Sequence, residues 1–452
     1  MDELIISVSG LRGIVGQSLT AEVAARYALA FAGALPPGPI VITRDGRSHG
    51  PMLAEAIAAA LTAAGRPVLD AGPAATPTTG ILVRAEQCVG GFQISASHNP
   101  PEYNGIKLFS AEGRVIPAEA GEAVRQRYLA GEAPAAPRGP GIGEEPATVE
   151  TLHNTVTAHL MAIEDAVDVD LIRSKRFRVL LDANHGAGAV LGRPLLEVLG
   201  CEVTVLGAEP DGQFAHTPEP TAENLSSVLP KVTELGAAVG FCQDPDADRL
   251  ALIDETGRYV GEEYTLALCV EHLLSRDPGP VVTNCSTSRM TQDIAERHAV
   301  AFHHSAVGEA NVVNKMNEVQ AIIGGEGNGG VIDPRIGPVR DSFIGMALTL
   351  EALATRDEPL SKLIDELPRY AIHKAKVTVT RDKIPAALDA LAAHFTDAAA
   401  DRTDGLRLDW QDEKKWLLVR ASNTEPIVRI FCEAATAEEA KQVADEAASV
   451  MG

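Results

Sequence analysis

Short apolar runs recur along this chain, each followed by a polar or glycine-containing loop and then by a stretch with helical spacing. Pro39-Ile40-Val41-Ile42-Thr43 leads into Arg44-Asp45-Gly46-Arg47, and the spacing beyond predicts a helix over Met52–Ala64. Phe177–Leu181 leads into Asp182-Ala183-Asn184-His185-Gly186-Ala187-Gly188 and a helix predicted near Pro194–Leu199. Pro280-Val281-Val282 leads into Thr283-Asn284-Cys285-Ser286-Thr287-Ser288 and a helix predicted near Met290–His298. A further apolar run closes each unit: Pro67–Leu69, Cys201–Leu206 and Val300–His303. These are βαβ-like units, and they predict three similar α/β domains. After Pro368 the pattern changes. Lys374–Thr380 alternates like a strand, Ile384–Phe395 reads as a helix, Trp416–Arg420 and Ile427–Glu433 as strands, and Ala437–Met451 as a closing helix. That predicts a smaller α+β domain. The expected domains are residues 1–147, 148–253, 254–368 and 369–452, with the Gly-, Pro- and Ala-rich stretch Gly131–Ala147 as a mobile connection at the first boundary.

The chemistry falls on loops that follow apolar runs. Val89–Ile94 delivers Ser95-Ala96-Ser97-His98-Asn99-Pro100-Pro101, after which Asn104-Gly105 is expected to reverse the chain and Ile106-Lys107-Leu108-Phe109 to leave as a strand. A hydroxyl on a rigid loop beside a histidine, with a lysine returning nearby, is how a chain presents an activated nucleophile. Ser97 does not sit in a Gly-x-Ser-x-Gly elbow, which argues against an ordinary hydrolase. A well-made surface turn is the competing reading of this segment.

Asp244-Pro245-Asp246-Ala247-Asp248-Arg249 follows the apolar run Ala237–Phe241. Carboxylates at alternate positions on an extended loop can turn their oxygens toward one hard cation. An EF-hand loop begins similarly, but its sixth place requires Gly and here holds Arg249, and the flanks read as strands. An oxygen-only site with few protein ligands suits Mg²⁺ completed by a phosphate oxygen.

These two loops, together with Gly325-Glu326-Gly327-Asn328-Gly329-Gly330 and Arg420-Ala421-Ser422-Asn423-Thr424-Glu425-Pro426, resemble the phosphohexomutases in content and in order. The resemblance spans almost the whole chain. It implies three α/β mixed-sheet domains plus a smaller C-terminal α+β domain, with an active-site cleft between them. It also implies interconversion of hexose 6-phosphate and hexose 1-phosphate through a phosphoserine and a bisphosphorylated sugar. On this resemblance Ser97 carries the phosphoryl group, and Ser97, Asp244, Asp246 and Asp248 hold Mg²⁺. Glu326 and Asn328 read the sugar. Arg420, Ser422, Asn423, Thr424 and Arg429 clamp the non-reacting phosphate. Hexose 1,6-bisphosphate is the expected activator. Ser9-Gly10-Leu11-Arg12-Gly13-Ile14 is similar to the family's N-terminal loop, with Ser and Leu at two places where the family has other residues, and it sets Arg12 on the catalytic-loop arginine. The other reading of that segment is a Gly-rich lead into a helix beginning at Thr20.

Two groups compete for proton transfer. Lys107 is the favoured acid–base, since a lysine in a desolvated site crowded by cations can have its pKa lowered. His98 is the rival, read here as a support for the loop. Arg249 and Arg12 would stabilise the transferring group.

Composition narrows the partners. The net charge of −23 argues against nucleic acid. It also demands a locally positive site for an anionic sugar phosphate. No apolar stretch approaches membrane-spanning length, the start Met1-Asp2-Glu3-Leu4 lacks a signal-peptide pattern, and six scattered cysteines without a Cys-x-x-Cys pair fit a reducing cytoplasm. Asp182 with Gly186, Gly188 and Gly192 faintly resembles a dinucleotide fingerprint and sustains a dinucleotide-dependent oxidoreductase as an alternative; the spacing favours a structural turn. Sugar choice rests on small signals. Val307-Gly308 resembles phosphoglucosamine mutases, whereas Ser422-Asn423-Thr424 resembles the dual phosphomannomutase/phosphoglucomutase branch. Glucosamine phosphate is the expected substrate, with mannose and glucose phosphates as the alternative.

Overall fold

The computed structural model describes residues 4–8, 10–131, 147–421 and 427–451. The chain packs into two compact units: Met1–Thr265 with Gly329–Ile364, and Leu266–Asn328 with Asp365–Gly452.

The first unit holds two sheets. One has seven strands in the order Ile5–Ser7, Gly10–Ile14, Tyr103–Ser110, Gly90–Ile94, Ile40–Arg44, Val68–Pro73, Val149–Thr151. Ile40–Arg44 runs parallel to Val68–Pro73 and Gly90–Ile94. Its Ile-Val-Ile core is buried on both faces, as expected of a central parallel strand. Helix Ala21–Ala32 is capped by Thr20, whose hydroxyl accepts from Val23 N, and buries Ala24, Tyr27, Ala28 and Phe31 along one stripe. The second sheet has the order Leu250–Asp254, Val239–Gln243, Arg178–Asp182, Glu202–Leu206. Val239–Gln243 and Leu250–Asp254 form an antiparallel hairpin with the acidic loop at its tip.

Three details differ from the sequence reading. Asn104-Gly105 does not turn the chain: both lie inside strand Tyr103–Ser110, and the reversal is made by the residues between Ile94 and Tyr103. The glycine answers a close approach instead, because a Cβ on Gly105 would lie 2.7 Å from Ser95 O and 2.8 Å from Leu11 O. Arg12 sits on strand Gly10–Ile14, opposite Gly105, and not in a loop. The helix expected near Pro194 starts earlier, at Gly188, with Pro194 inside it. Pro194 is carried within the helix, and Gly188 opens it; a Cβ on that glycine would lie 2.1 Å from Gln243 Oε1.

In the second unit Phe302–Ser305, Val281–Asn284 and Ile323–Glu326 pair in parallel. A five-stranded antiparallel sheet follows, in the order Ala371–Thr378, Ile427–Ala434, Lys415–Ala421, Leu406–Trp410, Ala399–Asp401. Helices Ile384–His394 and Ala437–Met451 cover it through a core that includes Leu391, Leu408, Ile430 and Ala444. The expected connection Gly131–Ala147 and the residues Ser9, Ser422, Asn423 and Thr424 lie outside the described residues, save the two ends of the connection. No described helix is long and apolar enough to cross a membrane.

Candidate active site

Strand Gly90–Ile94 ends at a loop whose Ser97 has φ 51°, a left-handed conformation that costs a non-glycine residue roughly 1–2 kcal/mol. Ser97 is 4% exposed. Its hydroxyl donates to Asp244 Oδ2 at 2.6 Å, and His98 Nδ1 lies 3.2 Å away. The sequence-predicted nucleophile and the acidic loop therefore meet across two sheets of one unit, 147 positions apart in the chain.

Asp244, Asp246 and Asp248 are fully buried, and each offers an oxygen within 4.8 Å of the others. Ala247 between them has φ 54°, so the loop turns back on itself and aims alternate carboxylates inward. Asp246 Oδ2 accepts from Thr76 Oγ1 at 2.5 Å and from Lys107 Nζ at 2.6 Å. Asp248 Oδ2 accepts from Lys107 Nζ at 2.8 Å and from Arg340 Nη2 at 2.6 Å. Asp246 Oδ1 and Asp248 Oδ1, both buried, have no hydrogen-bond partner. Two orphaned carboxylate oxygens beside Asp244 are the donor set a hard divalent cation requires. The triad can hold such an ion.

The electrostatics follow from burial and from these partners. Burial and the neighbouring Asp246 and Asp248 push the Asp244 carboxyl well above the usual range. Burial works the same way on Asp246, but the Lys107 ammonium, with hydrogen bonds from Lys107 and Thr76, outweighs it and holds that carboxyl low. His98 is pushed down to about 3 by burial and by the charges of Arg249 and Arg12, which favours a neutral ring. Arg12 is itself lowered by burial, and it feels Asp246, Arg249, Arg47 and Asp248. Arg249 lies 14% exposed at the loop's end, 4.0 Å from Asp248 Oδ1.

The sugar- and phosphate-reading candidates lie in the second unit. Glu326 ends strand Ile323–Glu326, 5% exposed, and its Oε1 accepts from Asn284 Nδ2 at 2.8 Å and from Gly308 N at 3.1 Å. Asn328 Nδ2 is 3.4 Å from Glu326 Oε2, and Asn328 Oδ1 is a buried acceptor without a partner. Arg420 and Arg429 are directly opposite on paired strands, so both guanidinium groups share one face of the sheet. Arg420 Nε forms an ion pair with Asp404 Oδ2 at 3.1 Å, and that oxygen accepts a hydrogen bond from Val307 N.

Several contributors went unnoticed in the sequence: Thr76 and Arg340 on the Asp loop, Asn284 behind Glu326, Asp404 behind Arg420, and Arg47 with Asp45 and Ser95 behind Ser97. The only available signal was position, since Arg44-Asp45-Gly46-Arg47 and Thr283–Ser288 follow strands at their carboxyl ends. The fingerprint-like glycines are packing positions. A Cβ on Gly186 would meet Pro245 O at 2.5 Å, and one on Gly192 would meet Leu181 Cδ2 at 2.9 Å. That removes the basis for a dinucleotide site.

A buried serine on a strained loop, an acidic triad able to hold a divalent ion and a ring of cations define a phosphoryl-transfer centre. Comparison with known proteins agrees along the whole chain. Residues 4–135, 157–257 and 262–370 match the phosphoglucomutase/phosphomannomutase alpha/beta/alpha domains I, II and III, and residues 375–450 match the C-terminal domain of the same family. A phosphoglucomutase/phosphomannomutase from Thermococcus kodakarensis is 37% identical over 96% of this chain and 95% of its own. A probable phosphoglucosamine mutase from Methanopyrus kandleri is 33% identical over 97% of this chain and 95% of its own. The crystal structure of a phosphoglucomutase/phosphomannomutase family protein from Burkholderia thailandensis superposes with a TM-score of 0.84 at 26% identity, covering 99% of this chain and 96% of that one. The chain belongs to the phosphoglucomutase/phosphomannomutase family. It has that family's four-domain architecture, mixed sheets in three domains and a smaller one at the C-terminus, and it is a phosphomutase, an intramolecular phosphotransferase.

Proposed function

We propose that this phosphomutase carries its phosphoryl group on Ser97 and acts on glucosamine phosphate. The observation that carries the first part is the 2.6 Å bond from Ser97 Oγ to Asp244 inside a buried acidic triad. Phosphorylated Ser97 gives its phosphoryl group to the free hydroxyl of a hexose monophosphate: the Ser97 Oγ–P bond breaks, the sugar O–P bond forms, and the hydroxyl proton passes to Lys107 as Lys107 hands one of its own protons to a carboxylate it rests against. The carboxylates of Asp246 and Asp248, 2.6 and 2.8 Å from Nζ, stabilise the ammonium. The hexose 1,6-bisphosphate so formed turns over and returns its other phosphate to Ser97; the same bisphosphate, added from outside, primes unphosphorylated enzyme. Asp244, Asp246, Asp248 and an oxygen on Ser97 hold Mg²⁺, which when bound offsets charge on the transferring group. Arg12 and Arg249 supply positive charge, and His98 supports the loop as a neutral ring.

Glu326 and Asn328 read the sugar, and Arg420 and Arg429 with Ser422, Asn423 and Thr424 clamp the distal phosphate, accepting either end of the intermediate. These loops belong to the four domains we assign to residues 1–147, 148–253, 254–368 and 369–452. The Glu326 carboxylate and the unpartnered Asn328 Oδ1 are acceptors, which suits the donors of a protonated 2-amino group. A dual glucose and mannose phosphate specificity is the second reading, favoured by the name of the 37% identical relative. We place the reaction in the cytoplasm, where the six free cysteines remain reduced.

Phosphopeptide mapping of the active enzyme should find its phosphate on Ser97. A side-by-side assay of glucosamine, glucose and mannose phosphates should give the highest kcat/KM for glucosamine phosphate. A clear preference for mannose phosphate would overturn the sugar assignment and leave the chemistry standing.

A further inference from the structure

A guanidinium has five N–H donors in a rigid planar fork, and burial demands a partner for each. Arg47 is 2% exposed and meets that demand with the backbone of the nucleophile loop. Its Nη2 donates to Ser97 O and Asn99 O, both at 2.6 Å. Its Nη1 donates to Pro100 O at 2.6 Å and Tyr103 O at 3.0 Å. Nε donates to Asp45 Oδ2 at 3.1 Å. The other face of the guanidinium is covered by the Phe214 ring, with 5.1 Å from Cζ to the centroid. Asp45 is tied to the same loop by a second route. Its Oδ2 accepts from Ser95 Oγ at 2.6 Å, and Ser95 Oγ in turn accepts from Ser97 N at 2.8 Å.

Ser97 is therefore gripped at both of its own backbone ends: its carbonyl by Arg47 directly, its amide through Ser95 and Asp45. The grip matters because Ser97 holds a left-handed conformation that nothing in its own side chain favours. The anchor is itself fixed, since Gly46 leaves no room to shift: a Cβ there would lie 2.2 Å from His185 O. None of these groups other than Ser97 reaches the Asp triad in the structure's hydrogen bonds.

We propose that Arg47, with its relay Asp45–Ser95, is the positioning residue of the phosphoryl-transfer step: it sets the backbone of Ser97 so that the phosphate-bearing Oγ faces Asp244. This rests on the reading of Ser97 as the phosphoryl carrier. A lysine at position 47 keeps the charge but offers three tetrahedral donors in place of the fork, so it cannot hold four carbonyls at once. Misplacing a reacting atom by about 1 Å costs on the order of 100-fold in rate.

The experiment uses the full-length enzyme charged with ³²P from labelled hexose 1,6-bisphosphate. Label on Ser97 is quantified first, then its single-turnover transfer to hexose monophosphate, alongside the KM for that sugar. Arg47→Lys should transfer on the order of 100-fold more slowly per labelled molecule, and Ser95→Ala about tenfold more slowly, each with a KM within about two-fold of wild type. Ser95→Thr, which keeps the hydroxyl, should recover most of the rate. If Arg47→Lys does not fold, Ser95→Ala removes no buried charge and decides the question alone. Labelled variants that transfer at the wild-type rate, or whose lost activity only tracks lost folded protein, overturn the proposal. Wild-type enzyme that takes up no label on Ser97 overturns the Ser97 reading itself, and this proposal with it.

Discussion

The cluster around Ser97 and the cluster around Glu326 and Arg420, which we propose as nucleophile and sugar-phosphate reader, use similar residues with different backing. Around Ser97 the loop backbone and the carboxylate oxygens facing Lys107 are tied down, while Asp246 Oδ1 and Asp248 Oδ1 stay open toward a cation. Of three fully buried carboxylates, Asp244 accepts from Ser97, Asp246 from Thr76 and Lys107, and Asp248 from Lys107 and Arg340, while Arg47 gives both terminal nitrogens to loop carbonyls. Around Glu326 and Arg420, among the described residues, Glu326 is backed by Asn284 and Gly308, Arg420 lies against Asp404, and Asn328 Oδ1 has no partner. Bond-making demands a pre-set geometry, because reorganisation at the moment of transfer adds to the barrier. Recognition of a ligand that must leave, turn and bind again demands contacts that can be exchanged. The two clusters differ in what backs them: loop carbonyls held by a buried guanidinium in one, a strand end and two facing arginines in the other.

The sharpest way to break this contrast is at Ser97. Ser97→Ala should lose on the order of 10⁴-fold or more in kcat, with the far-UV circular dichroism unchanged, if the hydroxyl is the covalent carrier we propose, since it fills no core. Near wild-type turnover with bisphosphate present would erase the distinction between the regions.

Arg420→Ala should act on binding. Losing a charge-assisted phosphate contact typically costs roughly 1.5–3 kcal/mol, which is about 10- to 150-fold in KM, with kcat changed much less. Steady-state kinetics that put the loss in kcat would move Arg420 into the chemical step.

Asp246→Asn should lower apparent Mg²⁺ affinity by at least about tenfold while sugar-phosphate binding holds. Titrating activity against Mg²⁺, and binding by calorimetry, separates the two; an unchanged metal dependence would remove Asp246 from the ion's shell.

The smallest effect lies away from both clusters, at Glu433. This buried carboxyl accepts at one oxygen from Trp416 Nε1 at 2.7 Å and from Arg289 N at 2.8 Å, and burial raises it above its ordinary 4.5. Below 4.5 it is protonated in folded and unfolded chains alike. As pH rises past 4.5 the unfolded chain releases the proton first, so stability falls until the folded-state value is passed. Glu433→Gln keeps the acceptor and cannot titrate, so its Tm should fall less than the wild type's as pH rises from about 4 toward neutrality. Parallel Tm curves would show that Glu433 is ionised in the fold.

Much of this protein was legible in one dimension because its signals are local. Apolar runs that bury both faces of a strand mark the sheets, and the alternating carboxylates at 244, 246 and 248 mark an oxygen site wherever the loop folds. Ser97 stood out by its loop, and the helix Ala437–Met451 by its spacing. Long-range partners leave no such trace. That Ser97 meets Asp244, that Arg340 reaches Asp248 from 92 positions away, and that Arg47 holds a loop 50 residues on depend on which strands sit side by side. The role of Gly105 illustrates the limit. In sequence Asn104-Gly105 has the form of a turn, yet two neighbouring backbones crowd that position, and only the sheet reveals that the missing Cβ is room for Ser95 and Leu11. Local propensity proposes an element, but the identity of a residue's neighbours is a property of the packed chain, and there the charge balance and the geometry of the site were decided.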